Sequence, residues 1–172
     1  MSENYFVLFG LKPIFNIDLQ ALEANFRKIQ SEVHPDRFVT GTTTEKLHSM
    51  QTATLANEAY STLKNPALRA TYLLSLQGIQ ANSETNTSMP ADFLMQTMEW
   101  REALDDAKQA KDIHALGLLH KEMQTEAKTL QAELIELFDN KNAPLAARET
   151  TRKLIFIDKV CADIDTAIEQ LD

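Results

Sequence analysis

Asp18-Leu19-Gln20-Ala21-Leu22-Glu23-Ala24-Asn25-Phe26-Arg27-Lys28-Ile29-Gln30-Ser31-Glu32-Val33-His34-Pro35-Asp36 is the stretch that decides the fold. Leu22, Phe26, Ile29 and Val33 recur at steps of four, three and four, which places them on one helical face. Asp18 reads as the N-cap, with Ile17 and Leu22 flanking it at the spacing of a hydrophobic staple. Pro35 pushes His34 out of the helical region, so the helix ends there. Phe38 to Thr43, with Gly41 and a run of threonines, reads as loop.

Working outward, a second amphipathic helix runs from about Thr44 to Lys64. Ala56, Ala59, Tyr60 and Leu63, with Leu55 beside them, mark its inner face. Asn65-Pro66 is a cap followed by proline at the first helical position. The helix it opens carries Leu68, Tyr72, Leu73 and Leu76 and stops at Gly78. Upstream, Tyr5 to Phe9 is a short apolar run closed by Gly10, for which a strand and a short helix both stay open. Gln80 to Ser88 is rich in Asn, Ser and Thr without apolar period and reads as linker.

A second unit follows. Pro90 opens a helix to about Lys111. Leu116, Leu119, Met123, Ala127, Leu130, Leu134 and Leu137 then recur at steps of three and four over nearly six turns. Asn140 to Pro144 breaks the pattern. A last helix, from about Ala143 to Leu171, turns Ile157, Val160, Ile164, Ala167, Ile168 and Leu171 inward. Three long helices with short connections make an antiparallel bundle. The expected architecture is all-α, with an N-terminal unit at 1–78, a linker at 79–89 and a C-terminal three-helix bundle at 90–172.

Composition agrees. With four glycines and five prolines in 172 residues, turns are few, and 44% apolar residues can supply a core. A net charge of -8 argues against nucleic acid as a main partner and suits a monomer. No stretch approaches the length of a membrane span. The start, Met1-Ser2-Glu3-Asn4, has no basic presequence, so the chain reads as cytoplasmic. Cys161, the one cysteine, has apolar neighbours at Ile157, Val160 and Ile164 and reads as a buried, inert thiol. His48, His114 and His120 have no partner at metal-ligand spacing, so no metal and no cofactor are expected.

The order of short apolar segment, amphipathic helix, His34-Pro35-Asp36 loop and amphipathic helix resembles the J domain of DnaJ-type co-chaperones. Tyr5 and Leu8 before Gly10-Leu11, the face ending at Val33, and Asn57-Glu58-Ala59-Tyr60-Ser61-Thr62-Leu63 carry the resemblance. It implies that His34, Pro35 and Asp36, with Arg27, Lys28 and Arg37, meet a DnaK-type chaperone and speed its ATP hydrolysis. The physics fits: Pro35 restricts an exposed turn, which lowers the ordering cost of docking. Asp36 suits a charge-assisted bond to a partner Arg or Lys. One departure stands out. Second helices of J domains are usually basic, whereas Asp18 to Val33 sets Arg27 and Lys28 against Asp18, Glu23 and Glu32, two minus three, or -1. A specialised chaperone fits that better than a generic one.

Phe93, Trp100, Ala103, Leu104 and Ala107 fall within a stripe about 100° wide, the expected bundle core. Leu94, Met95 and Met98 fall outside it, beside Arg101, Glu102, Asp105 and Asp106. From periodicity alone, two readings stay open. The buried face is wide or packs on the first unit, or these residues form an exposed binding patch. Leu68 to Leu76, Phe93-Leu94-Met95 through Arg101-Glu102, and Arg152 to Lys159 resemble HscB, the J-type co-chaperone family of iron–sulfur cluster assembly. This resemblance covers nearly the whole chain.

It implies that the bundle holds the scaffold protein IscU through Leu94, Met95, Met98, Glu99, Arg101, Glu102, Asp106 and Phe156. Asp106 is a shorter acid than the Glu expected there. Phe156 lies at the edge of its inward stripe, so a core role stays open. The expected function is that of an adaptor that does no chemistry itself. The alternative is a generic holdase for unfolded chains, for which the Gly/Phe-rich region and zinc modules are missing.

Overall fold

The computed structural model describes residues 4–82 and 89–172; six of the residues expected to form the linker, 83–88, lie outside them. Among the described residues all regular structure is helical. The chain divides into two compact units, Met1–Leu73 and Leu74–Asp172.

In the first unit, Tyr5–Phe9 resolves as helix: α1 spans Tyr5–Leu8, capped by Asn4, whose side chain accepts from the Val7 amide. Gly10 takes a positive φ of 65°, which frees the chain to turn out of α1. Phe6 and Phe9 are thereby buried. α2, Leu19–Glu32, starts as expected at Asp18, whose Oδ1 accepts from the Gln20 and Ala21 amides at 3.0 and 3.1 Å. A single 3-10 turn, Pro35–Phe38, leads towards α3, Thr43–Lys64, which is capped by Thr42. α2 and α3 form a hairpin closed by the stacked rings of Phe26 and Tyr60, 4.1 Å apart. Leu22, Ala56, Ala59 and Leu63 fill its core. Leu55 departs from expectation. It is exposed and joins Leu47 and Met50 along the outer face of α3.

α4, Pro66–Leu76, follows after one residue, Asn65, whose Oδ1 accepts from the Leu68 amide at 3.0 Å. Arg69 is buried at this corner. Its Nη1 donates to the Leu63 carbonyl at 2.7 Å, and its guanidinium lies 4.6 Å from the centre of the Phe15 ring. A cation thus meets the carbonyl end of α3, where the helix dipole is negative.

Losing the α2 cap has a readable cost. Asp18→Ala should destabilise the first unit by about 1 kcal/mol, which lowers its melting midpoint by roughly 4–8 °C. Asp18→Asn, which keeps the acceptor, should recover most of it. Thermal melts followed by circular dichroism check both.

The second unit is the expected three-helix bundle: α5, Ala91–Gln109, α6, Ile113–Leu134, and α7, Pro144–Leu171. α6 and α7 pack along most of their lengths, and α5 lies against both. Leu116, Met123, Leu134, Leu154, Ile157 and Ile164 are fully buried between them. Trp100 is buried as well, and its indole N–H donates to Glu122 Oε1 at 3.1 Å.

Three expectations need correction. Ala103 is exposed, and Thr97 is buried instead. Its hydroxyl donates to the Leu94 carbonyl at 2.7 Å, which satisfies it without water. The buried stripe of α5 is therefore rotated by about 30° towards Leu94. Next, the regular face of α6 does not reach Leu137. A π-helical turn, Ile135–Asn140, follows α6 and leaves Leu137 half-buried. Finally, Cys161 is half-buried rather than buried. Burial, then the nearby carboxylates of Asp158 and Asp165, push its thiol up from the ordinary value. It is therefore a protonated, weakly nucleophilic thiol near neutral pH.

Candidate functional site

Among the described residues, each unit exposes side chains that the sequence singled out. On the first they belong to the loop at the end of α2. His34 has φ -58° and ψ 136°, the extended conformation that the following proline requires. Its imidazole turns back on the loop, and the Asp36 amide donates to Nδ1 at 3.2 Å. With Nδ1 accepting, the ring proton belongs on Nε2. The Asp36 carboxylate lies 3.5 Å from Nδ1 and is 88% exposed. The loop therefore offers an N–H donor and a carboxylate from a backbone fixed by proline and by its own imidazole. Pro35 and Arg37 are exposed beside them.

Arg27 and Lys28 are exposed on α2. Arg27 is bound within its own helix, to Glu23 at 2.7 Å. That pair leaves less free positive charge on α2 than the sequence count suggests.

On the second unit, α5 exposes Leu94 by 48%, Met95 by 66% and Met98 by 70%. This settles the choice left open by periodicity for the bundle itself: these three side chains do not belong to its core. Glu99, Glu102 and Asp106 are exposed along the same helix. Phe156 reaches the patch from α7 and is half-buried. Its ring stands edge-on to Phe93, 5.9 Å between centres. It thus serves the core with one side and the surface with the other.

A shallow groove of about 240 Å³ runs beside Leu94, floored by Phe93, Thr97, Ile155 and Phe156 and edged by Arg152 and Lys159. Arg101 is held across the helices: Nη1 donates to Asp163 Oδ2 at 2.6 Å, and its guanidinium lies 5.5 Å from the centre of the Phe156 ring. The structure thus brings Leu94, Arg101 and Phe156 into one corner, with the remaining α5 residues along one exposed flank.

Sequence reasoning missed Asp163, because an ion pair between distant helices has no local signal. It also missed the basic edge of the groove. Leu47, Met50 and Leu55 on α3 border a hollow of about 370 Å³, and their helical spacing could have been read as a second stripe. Among the described residues no group of three or more His, Cys, Asp or Glu side chains is placed to hold a metal ion. None of the described helices is long and apolar enough to cross a membrane.

Comparison with known proteins sharpens the picture. Residues 89–165 match the family described as the HSCB C-terminal oligomerisation domain. The co-chaperone protein HscB homolog of Paraburkholderia phymatum is 45% identical over all 172 residues, which span 98% of that relative. The chain belongs to the HscB family of co-chaperones. Among solved structures, the HscB chaperone of Vibrio cholerae is 37% identical, with a TM-score of 0.84 over 99% of this chain and 100% of that one. Human HscB is 28% identical with a TM-score of 0.87, covering 96% of this chain and 82% of that one. The HscB resemblance read from the sequence therefore extends along the full length. So does the all-α fold of J domain and C-terminal bundle.

Proposed function

We propose that this HscB-family chain is an adaptor between an Hsp70-type ATPase and the scaffold on which iron–sulfur clusters are built. In this reading the J domain comprises residues 1–78, a linker 79–89 and the client-binding bundle 90–172. His34, Pro35 and Asp36, with Arg27, Lys28 and Arg37, dock on the specialised DnaK-type chaperone HscA and accelerate its ATP hydrolysis. Leu94, Met95, Met98, Glu99, Arg101, Glu102, Asp106 and Phe156 hold the IscU-type scaffold. The chain acts in the cytoplasm as a monomer, and the chemistry belongs to the ATPase.

The observation that carries the proposal is the pairing, on one chain, of a preorganised His34-Pro35-Asp36 loop with an exposed Leu94–Met98 patch. The loop lowers the ordering cost of docking. Leu and Met at 48–70% exposure beside half-buried Phe156 suit a protein contact. Joining the two raises the local concentration of scaffold at the chaperone.

Steady-state ATP hydrolysis by purified HscA tests this, with the chain and IscU added singly and together. Synergy well beyond the product of the separate effects is the expected result. Stimulation that ignores IscU would remove the scaffold from the proposal.

A further inference from the structure

Asp163 lies on α7 seven residues beyond Phe156, two turns along the same side of the helix. From there it reaches across to α5 and bonds Arg101 at 2.6 Å. The Arg101 guanidinium then lies over the Phe156 ring. Phe156 in turn is set against Phe93, whose ring carries the Lys153 ammonium 5.4 Å from its centre. Five side chains from two helices thus fix one corner of the patch.

We propose that Asp163 is a positioning residue for scaffold binding: it holds Arg101 over Phe156 and keeps that corner preformed. The proposal rests on the reading of the α5 patch as the scaffold site. Two physical effects carry it. A long, flexible arginine must be immobilised when a partner covers it, and a bond already in place removes much of that cost. A lone guanidinium covered by an apolar surface also loses its hydration, whereas a guanidinium paired with a carboxylate enters the interface already compensated. Arg101 and Asp163 side chains are 38% and 47% exposed, so the pair contributes little to the fold alone and matters most once water is excluded.

Titration calorimetry with the cluster-free IscU-type scaffold tests this on the full chain. Asp163→Ala should weaken binding about five- to tenfold, from the lost ion pair and the loosened cation–aromatic contact. Asp163→Glu should restore most of it, and the melting midpoint should stay within a few degrees. In an Arg101→Ala background, Asp163→Ala should cost nothing more, because Asp163 acts through Arg101. Unchanged affinity in Asp163→Ala, or losses that simply add in the double variant, would overturn the positioning role. Leu94→Ala with Met98→Ala is measured alongside. If that pair shows its expected large loss of affinity and Asp163→Ala does nothing, only the positioning role fails. If that pair leaves binding intact, the scaffold reading fails and the role of Asp163 falls with it.

Discussion

His34→Gln is expected to return HscA to its unstimulated ATPase rate while leaving the affinity for IscU unchanged. The imidazole has two tasks in the loop. Its Nδ1 accepts the Asp36 amide at 3.2 Å, which fixes the carboxylate beside it, and its Nε2 is left as the donor that the proposed docking would use. Glutamine can offer an oxygen to the amide or an N–H to the partner, but from a flexible chain that must be ordered on docking. The His34 side chain is 59% exposed, so replacing it removes no core packing. Helicity and melting should match the parent protein. The check is a pair of measurements on one preparation, ATPase rate and scaffold affinity. Loss of both in a folded variant would show that the two units do not divide the work.

The complementary variant, Leu94→Ala with Met98→Ala, should cost about 100-fold in scaffold affinity. Truncating an apolar anchor at the centre of an interface costs about 1–2 kcal/mol, and each 1.4 kcal/mol is roughly tenfold. Leu94 and Met98 are 48% and 70% exposed, so their removal opens no cavity in the bundle. The J domain of this variant should still stimulate HscA by itself, with the synergy from IscU gone. Titration calorimetry and the ATPase assay read the two effects separately. An affinity within twofold of the parent would place the scaffold elsewhere.

Most of the fold was legible because its signals are local. Asp18 as a cap, Pro35 as a helix stop, and Asn65-Pro66 as a new start each act within one turn of chain. The four-and-three spacing of Leu22, Phe26, Ile29 and Val33 needed only helix geometry. The errors arose where a neighbouring helix decides. Ala103 and Thr97 traded places because α6 and α7 set which side of α5 is covered, and threonine can be buried once its hydroxyl finds a carbonyl. Cys161 follows Val160 by one residue, which turns it about 100° away from the buried line.

The loop and the α5 patch of the candidate site were legible as motif and as misplaced apolar residues. The Arg101–Asp163 pair was not, since its two halves meet only after α5 and α7 have packed.

The placement of the aromatic residues has an optical consequence. The single tryptophan, Trp100, lies in the bundle, while Tyr5, Tyr60 and Tyr72 all lie in the first unit. Indole can be excited at wavelengths where phenol no longer absorbs, so fluorescence gathered there comes from the bundle alone. Trp100 also stands 6.1 Å from Phe93, the ring that supports Phe156, and bonds Glu122 on α6. The chain therefore carries a built-in reporter one ring behind the patch, able to follow that unit without a dye or a label.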